Sequence, residues 1–103
     1  MNTINQNYQE ELFKKAIEKW GVVAQTEMLM EESIELALAV RKYLRNKDSL
    51  SLLHVGEEIA DVEIMISQIK LMNQGLSVEI EKCKLKKLER LERRINASDY
   101  EGK

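Results

Sequence analysis

Two pairs of acidic side chains share one spacing: Glu32 with Glu35, and Glu58 with Asp61, each three positions apart. On a helix, residues at that separation are surface neighbours. At about 100° per residue, and with Glu27 as zero, Glu32 falls near ~140° and Glu35 near ~80°. Met28 and Ala39 lie between them, and Tyr43, Leu36 and Leu29 carry the arc into an apolar stripe with Val40. Glu31 sits one turn before Glu35. Further along, with Leu53 as zero, Glu58 falls near ~140° and Asp61 near ~80°. Met65, Ile69 and Met72 fill the same arc, with Val62 adjoining, whereas Glu57, Glu63 and Lys70 lie elsewhere. A cluster of acids is ordinarily a solvated face, but these point where the apolar side chains point.

Two such helices packed side by side bring four carboxylates together in a partly dry place. Buried like charges either raise their pKa values or demand a cation. Oxygen-only ligands suit Mg²⁺, with Mn²⁺ as a substitute, and Mg²⁺ takes waters and substrate phosphates as further ligands. Zinc wants Cys or His, and the chain has one of each, Cys83 and His54. A bundled di-iron site needs a Glu-x-x-His motif on each of two helices, which one His cannot supply within one chain. His54 reads as a surface residue near a helix start, and Cys83 as a small buried or half-buried one. Without a phosphate-binding glycine loop, any phosphate must be held by metal and by Lys or Arg. From Glu79 to Arg94 the chain carries seven bases against four acids. Lys87, Arg90 and Arg94 follow one line along the edge of the stripe formed by Leu85, Leu88, Leu91 and Ile95. They are candidates for phosphate contacts, although bases late in a helix also complement its dipole and pair with Glu at i±3 or i±4.

These side chains must be positioned by long helices. The 103 residues hold no proline and four glycines, far too few turn formers for an all-β domain. The spacing predicts helices over about Tyr8 to Trp20, Val22 to Leu44, Leu52 to Met72 and a fourth from a Ser77 cap to about Ile95. Asn5 or Asn7 can cap the first, Gly21 suits the residue past its end, and Asp48, Ser49 or Ser51 can cap the third. Residues 97–103 read as a frayed tail. The expected fold is all-α, one four-helix domain over residues 1–103, with a core of about 8–95. Few aromatics fill its core, so long helices gain by burying a second face against another copy of the chain.

A net charge of -2 gives no overall basic field to recruit nucleic acid. The 44% apolar content is too high for intrinsic disorder. A single cysteine excludes a disulfide within the chain and points to a reducing compartment. No apolar run approaches the ~18 residues of a membrane span, and the first residues lack the basic and apolar regions of a signal peptide. A cytoplasmic location is expected.

Glu31-Glu-Ser-Ile-Glu-Leu36 and Glu57-Glu-Ile-Ala-Asp-Val62 resemble the EExxE and ExxD pattern of the MazG-like nucleoside triphosphate pyrophosphohydrolases. That all-α superfamily also holds dimeric dUTPases and phosphoribosyl-ATP pyrophosphatase. Lys-Trp-Gly at 19–21 and the run from Lys87 to Ile95 are similar to short single-domain members, phage-encoded ones included. The likeness spans residues 10 to 95, and both acidic halves in order are a fairly specific signal. The resemblance implies Mg²⁺-dependent attack of water on a nucleotide α-phosphorus, giving monophosphate and pyrophosphate. By position it makes Glu32, Glu35, Glu58 and Asp61 metal ligands, and Glu31 an auxiliary ligand or an orienter of water. It makes Lys87, Arg90 and Arg94 phosphate contacts, and Trp20 a candidate to stack on a base, although a Trp ending an amphipathic helix is more often core. It also implies a homodimer or a dimer of dimers. Two other readings stand beside it. One is a phosphoribosyl-ATP pyrophosphatase, disfavoured because Val-Glu-Ile-Met-Ile after Asp61 lacks that enzyme's usual Tyr-His pair. The other is a non-catalytic helical interaction module.

Overall fold

The computed structural model of the chain describes residues 5–101, with side chains through residue 97. The described backbone holds four helices: α1 (Gln6–Trp20), α2 (Val22–Asn46), α3 (Ser49–Met72) and α4 (Leu76–Glu101). The all-α expectation holds, and among the described residues there is no strand. Nor is any described helix long and apolar enough to cross a membrane.

Local chemistry explains each boundary. Asn5 caps α1: its side-chain oxygen accepts from the amides of Asn7 at 2.8 Å and Tyr8 at 3.4 Å. Gly21, at φ 93°, ends α1 by donating its amide to Ile17 at 2.8 Å, and its own carbonyl accepts from Gln25 at 3.1 Å. One residue thus closes one helix and opens the next, a conformation that an L side chain rarely adopts. Lys47 ends α2 in the left-handed region at φ 50°. Asp48 then accepts from the Ser51 amide at 2.7 Å. That cap draws Ser49, Leu50 and Ser51 into the first turn of α3, so the helix begins three residues before the expected Leu52. Gly75, at φ 86°, precedes α4, and its carbonyl accepts from Glu79 at 3.2 Å. Ser77 therefore lies inside the first turn instead of capping it. Past Ile95, where the sequence suggested an end, α4 stays helical through Glu101. The rest of the expected tail, residues 102 and 103, lies outside the described residues.

The chain separates into two compact units, one ending at Met72 and holding α1, α2 and α3, the other beginning at Asn73 and holding α4. In the first unit α2 and α3 form the main pairing and α1 lies against both. They run antiparallel: Gln25 meets Gln68 near one end, and Asn46 meets Ser51 at the other. Among the described residues the buried hydrophobic side chains are few, namely Ala39, Val55 and Met65. Large apolar residues such as Ile34, Leu38, Leu44, Leu53 and Ile64 are exposed. In the second unit the stripe of Leu85, Leu88, Leu91 and Ile95 is exposed along α4, and so is Cys83, against the expectation that it is buried or half-buried. Its own helix offers it nothing to pack under.

Candidate metal centre

The antiparallel seam between α2 and α3 sets residues opposite one another in a regular register. Gln25 stands opposite Gln68, and seven residues further along each helix Glu32 stands opposite Asp61. Seven residues is two helical turns, so the same faces return. Glu58 lies one turn from Asp61 on α3.

Carboxylate oxygens of Glu32, Glu58 and Asp61 all lie within 4.8 Å of one another. Their surroundings are unequal. Glu58 has a side chain only 12% exposed. Its Oε1 lies 3.8 Å from Nε2 of His54, one turn back on α3, whose Nδ1 lies 3.7 Å from Oε1 of Glu57. Its Oε2 is buried with no hydrogen-bond partner. Asp61 is exposed, which leaves the trio open to the surface on one side.

Glu32 carries the electrostatic consequence. Its pKa is raised above the ordinary glutamate value, first by burial, then by the charges of Asp61 and Glu58, with a hydrogen bond to Asp61 and the charge of Glu35 adding to it. An acid in this position either keeps its proton or needs a positive charge beside it. The orphaned Oε2 of Glu58 makes the same demand, because a buried carboxylate oxygen without a partner is costly. A hard divalent cation answers both. Three clustered carboxylates and an open side fit Mg²⁺ or Mn²⁺, which use oxygen ligands and retain positions for water or phosphate.

Of the acids marked in the sequence, Glu32, Glu58 and Asp61 come together. Glu35 is exposed and stands outside the trio, close enough for its charge to act on Glu32. Glu31 is exposed beside Glu32 in the chain and lines a neighbouring cavity. Trp20 lines the same cavity and is 59% exposed, so it is not core within its unit. Lys87 and Arg90 border a basic groove on α4 with Cys83, Lys86, Glu89 and Arg93, whereas Arg94 does not. Among the described residues Lys82 pairs with Glu79 and Lys84 with Glu81, but Lys87, Arg90 and Arg94 form no ion pair.

Sequence reasoning passed over Gln25 and Gln68, which are 6% and 4% exposed and hydrogen-bonded to each other at 2.7 Å. The signal was the two-turn offset of each from an acid already singled out. It also read His54 as an ordinary surface residue. His54 is indeed exposed, yet it sits between Glu57 and Glu58.

No family model, no curated protein and no solved structure matches the chain.

Proposed function

We propose that the chain is a divalent-cation-dependent nucleoside triphosphate pyrophosphohydrolase of the MazG-like kind. Water adds to the α-phosphorus, the bond from that phosphorus to the bridging oxygen breaks, and pyrophosphate leaves a (d)NMP behind. The observation that carries this reading is the buried, unpartnered Oε2 of Glu58 inside the trio with Glu32 and Asp61. The resemblance of the acidic runs to the family pattern supplies the substrate class.

Glu32, Glu58 and Asp61 would hold the ion, and the resemblance makes Glu35 a fourth ligand. When bound, Mg²⁺ supplies neutralisation of the triphosphate and lowers the pKa of water towards neutrality. The chain's own groups do the rest. Glu31, exposed next to Glu32, would serve as an auxiliary ligand or orient the attacking water. Lys87, Arg90 and Arg94, free of ion pairs among the described residues, are offered as phosphate contacts. In-line phosphoryl chemistry asks a protein mainly for positioning and electrostatics, so few groups suffice.

A homo-oligomer, dimer or dimer of dimers, belongs to this proposal. A helix apolar on most sides is ordinarily buried on most sides. α3 leaves Leu50, Leu53, Ile59, Ile64 and Ile66 exposed, which supports a second copy covering them.

The test is a panel of NTPs and dNTPs with Mg²⁺, plus phosphoribosyl-ATP, followed by release of pyrophosphate and monophosphate. The expected result is turnover of at least one NTP or dNTP that stops in chelator. Inertness towards every compound would favour the interaction module, and turnover of phosphoribosyl-ATP alone would move the chain to that branch of the superfamily.

A further inference from the structure

Two turns from the carboxylates, the seam between α2 and α3 holds a fixed amide. Gln25 donates its side-chain N–H to Oε1 of Gln68 at 2.7 Å, and Gln68 directs its own Nε2 to the Met65 sulfur at 3.9 Å. The second contact decides which way both amides face. A thioether only accepts, so Gln68 must turn its nitrogen towards Met65 and its oxygen towards Gln25. The Gln25 carbonyl oxygen is then left without a partner among the described residues, and it is not sealed from solvent.

Gln25 lines a cavity of about 470 Å³ in the first unit, together with Trp20, Glu27, Met28, Glu31 and Met65. That volume lies within the ~300–1,000 Å³ range of small-molecule sites. Its wall has a consistent chemistry. Trp20, 59% exposed and with the Lys19 ammonium 5.4 Å from its ring centre, lines the cavity with Met28 and Met65, residue types that suit a flat apolar ring. The polar residues that line it are Gln25, Glu27 and Glu31, whose side-chain oxygens can accept hydrogen bonds. Such a wall repels phosphate and carbonyl oxygens and welcomes a ring edge rich in N–H.

We propose that this cavity receives the nucleobase and that Gln25, held by Gln68, selects bases bearing an exocyclic amino group over uracil and thymine. The inference rests on the pyrophosphohydrolase reading and names the substrate class of that site. The distances agree: Gln25 lies seven residues from Glu32, or ~10 Å at 1.5 Å per residue, so ring and phosphates can lie along one seam. Uracil and thymine flank their single N3–H with two carbonyl oxygens, which here would face acceptors. Cytosine and adenine present an amino group instead.

The experiment compares kcat/KM for CTP and for the triphosphate of 2-pyrimidinone ribonucleoside, which lacks only the 4-amino group, and for dCTP against dTTP. Wild-type protein should prefer the amino-bearing member of each pair by about 10- to 100-fold, the size expected when a bound base covers an acceptor and leaves it unpaired. Gln25→Met should bring both ratios close to one, chiefly through KM. Equal turnover within both pairs by the wild type would overturn the base slot and leave the pyrophosphohydrolase reading intact. No turnover of any nucleotide would remove that reading, and this inference with it. The wild-type comparison decides the matter even if Gln25→Met fails to fold.

Discussion

Glu32 on α2 and Asp61 on α3 face each other across the helix seam, and with Glu58 each offers a carboxylate oxygen within 4.8 Å of the others. Two carboxylates this close cannot both be comfortable as bare anions. Either a proton or a cation must sit between them, and the choice can be read out by substitution, by pH and by metal.

Asp61→Asn and Glu58→Gln should each lower Mg²⁺-dependent nucleotide hydrolysis by roughly 10²-fold or more, since each removes a charge that holds the ion. Circular dichroism should show helicity unchanged. Glu35→Gln, outside the trio, tests the four-ligand expectation separately: strong loss of turnover is expected. Near wild-type rates in Asp61→Asn would remove the ligand assignment.

Metal-free protein should lose stability as pH rises through the window just above the ordinary glutamate pKa. The sign follows from Glu32, whose pKa is raised in the fold by burial and by the charges of Asp61, Glu58 and Glu35. In that window the folded chain binds more protons than the unfolded one, so its advantage is whole below the window and gone above it. Thermal melts from pH 4 to pH 8 should show the decline, and Glu32→Gln should flatten it. Saturating Mg²⁺ should stabilise the protein most at the upper end. A melting temperature that rises across the window and is unaffected by Glu32→Gln would contradict the assignment.

Asp48 behaves in the opposite sense. Its pKa is lowered, first by the Ser51 backbone amide, then by the Ser51 side chain, with the Lys42 charge assisting. The stabilisation it gives α3 is present above the ordinary aspartate pKa and is lost as pH falls through the lowered value. Asp48→Ala should therefore lower Tm at pH 7, and the gap from wild type should narrow in acid. A gap independent of pH would mean that the cap does not act through its charge.

Gly56 lies inside α3, and a Cβ built there meets nothing within 4 Å. Gly56→Ala should stabilise the chain by about 0.5–1 kcal/mol through helix propensity alone. Urea unfolding measures this directly. Destabilisation would show that another copy packs closely on that face.

Much of this was legible in the sequence, for identifiable reasons. Asn5, Gly21 and the polar stretch before α3 carry cap and turn chemistry that acts within a few residues, so the helix order followed from local signals. Angular placement brought out Glu32, Glu58 and Asp61 because periodicity reports which face a residue occupies. It does not report depth along a seam: Glu35 shares the arc with Glu32, yet the three carboxylates within 4.8 Å of one another are those of Glu32, Glu58 and Asp61. Nor does it report packing: Trp20 follows Ala16 and Ile17 at helical spacing and Cys83 follows Ile80, yet both are exposed. The Gln25–Gln68 pair stayed hidden because glutamine is usually a surface residue, and only the antiparallel register puts one amide against the other.

The most direct probe of the carboxylate trio is Mn²⁺ binding followed by electron paramagnetic resonance, on wild type and on Glu58→Gln, without nucleotide. Loss of the free Mn²⁺ signal on addition of wild-type protein, competed away by Mg²⁺ and much weakened in Glu58→Gln, is the expected result. A free Mn²⁺ signal that wild-type protein leaves unchanged, or binding that Glu58→Gln and Asp61→Asn both retain in full, would show that these acids do not hold a metal.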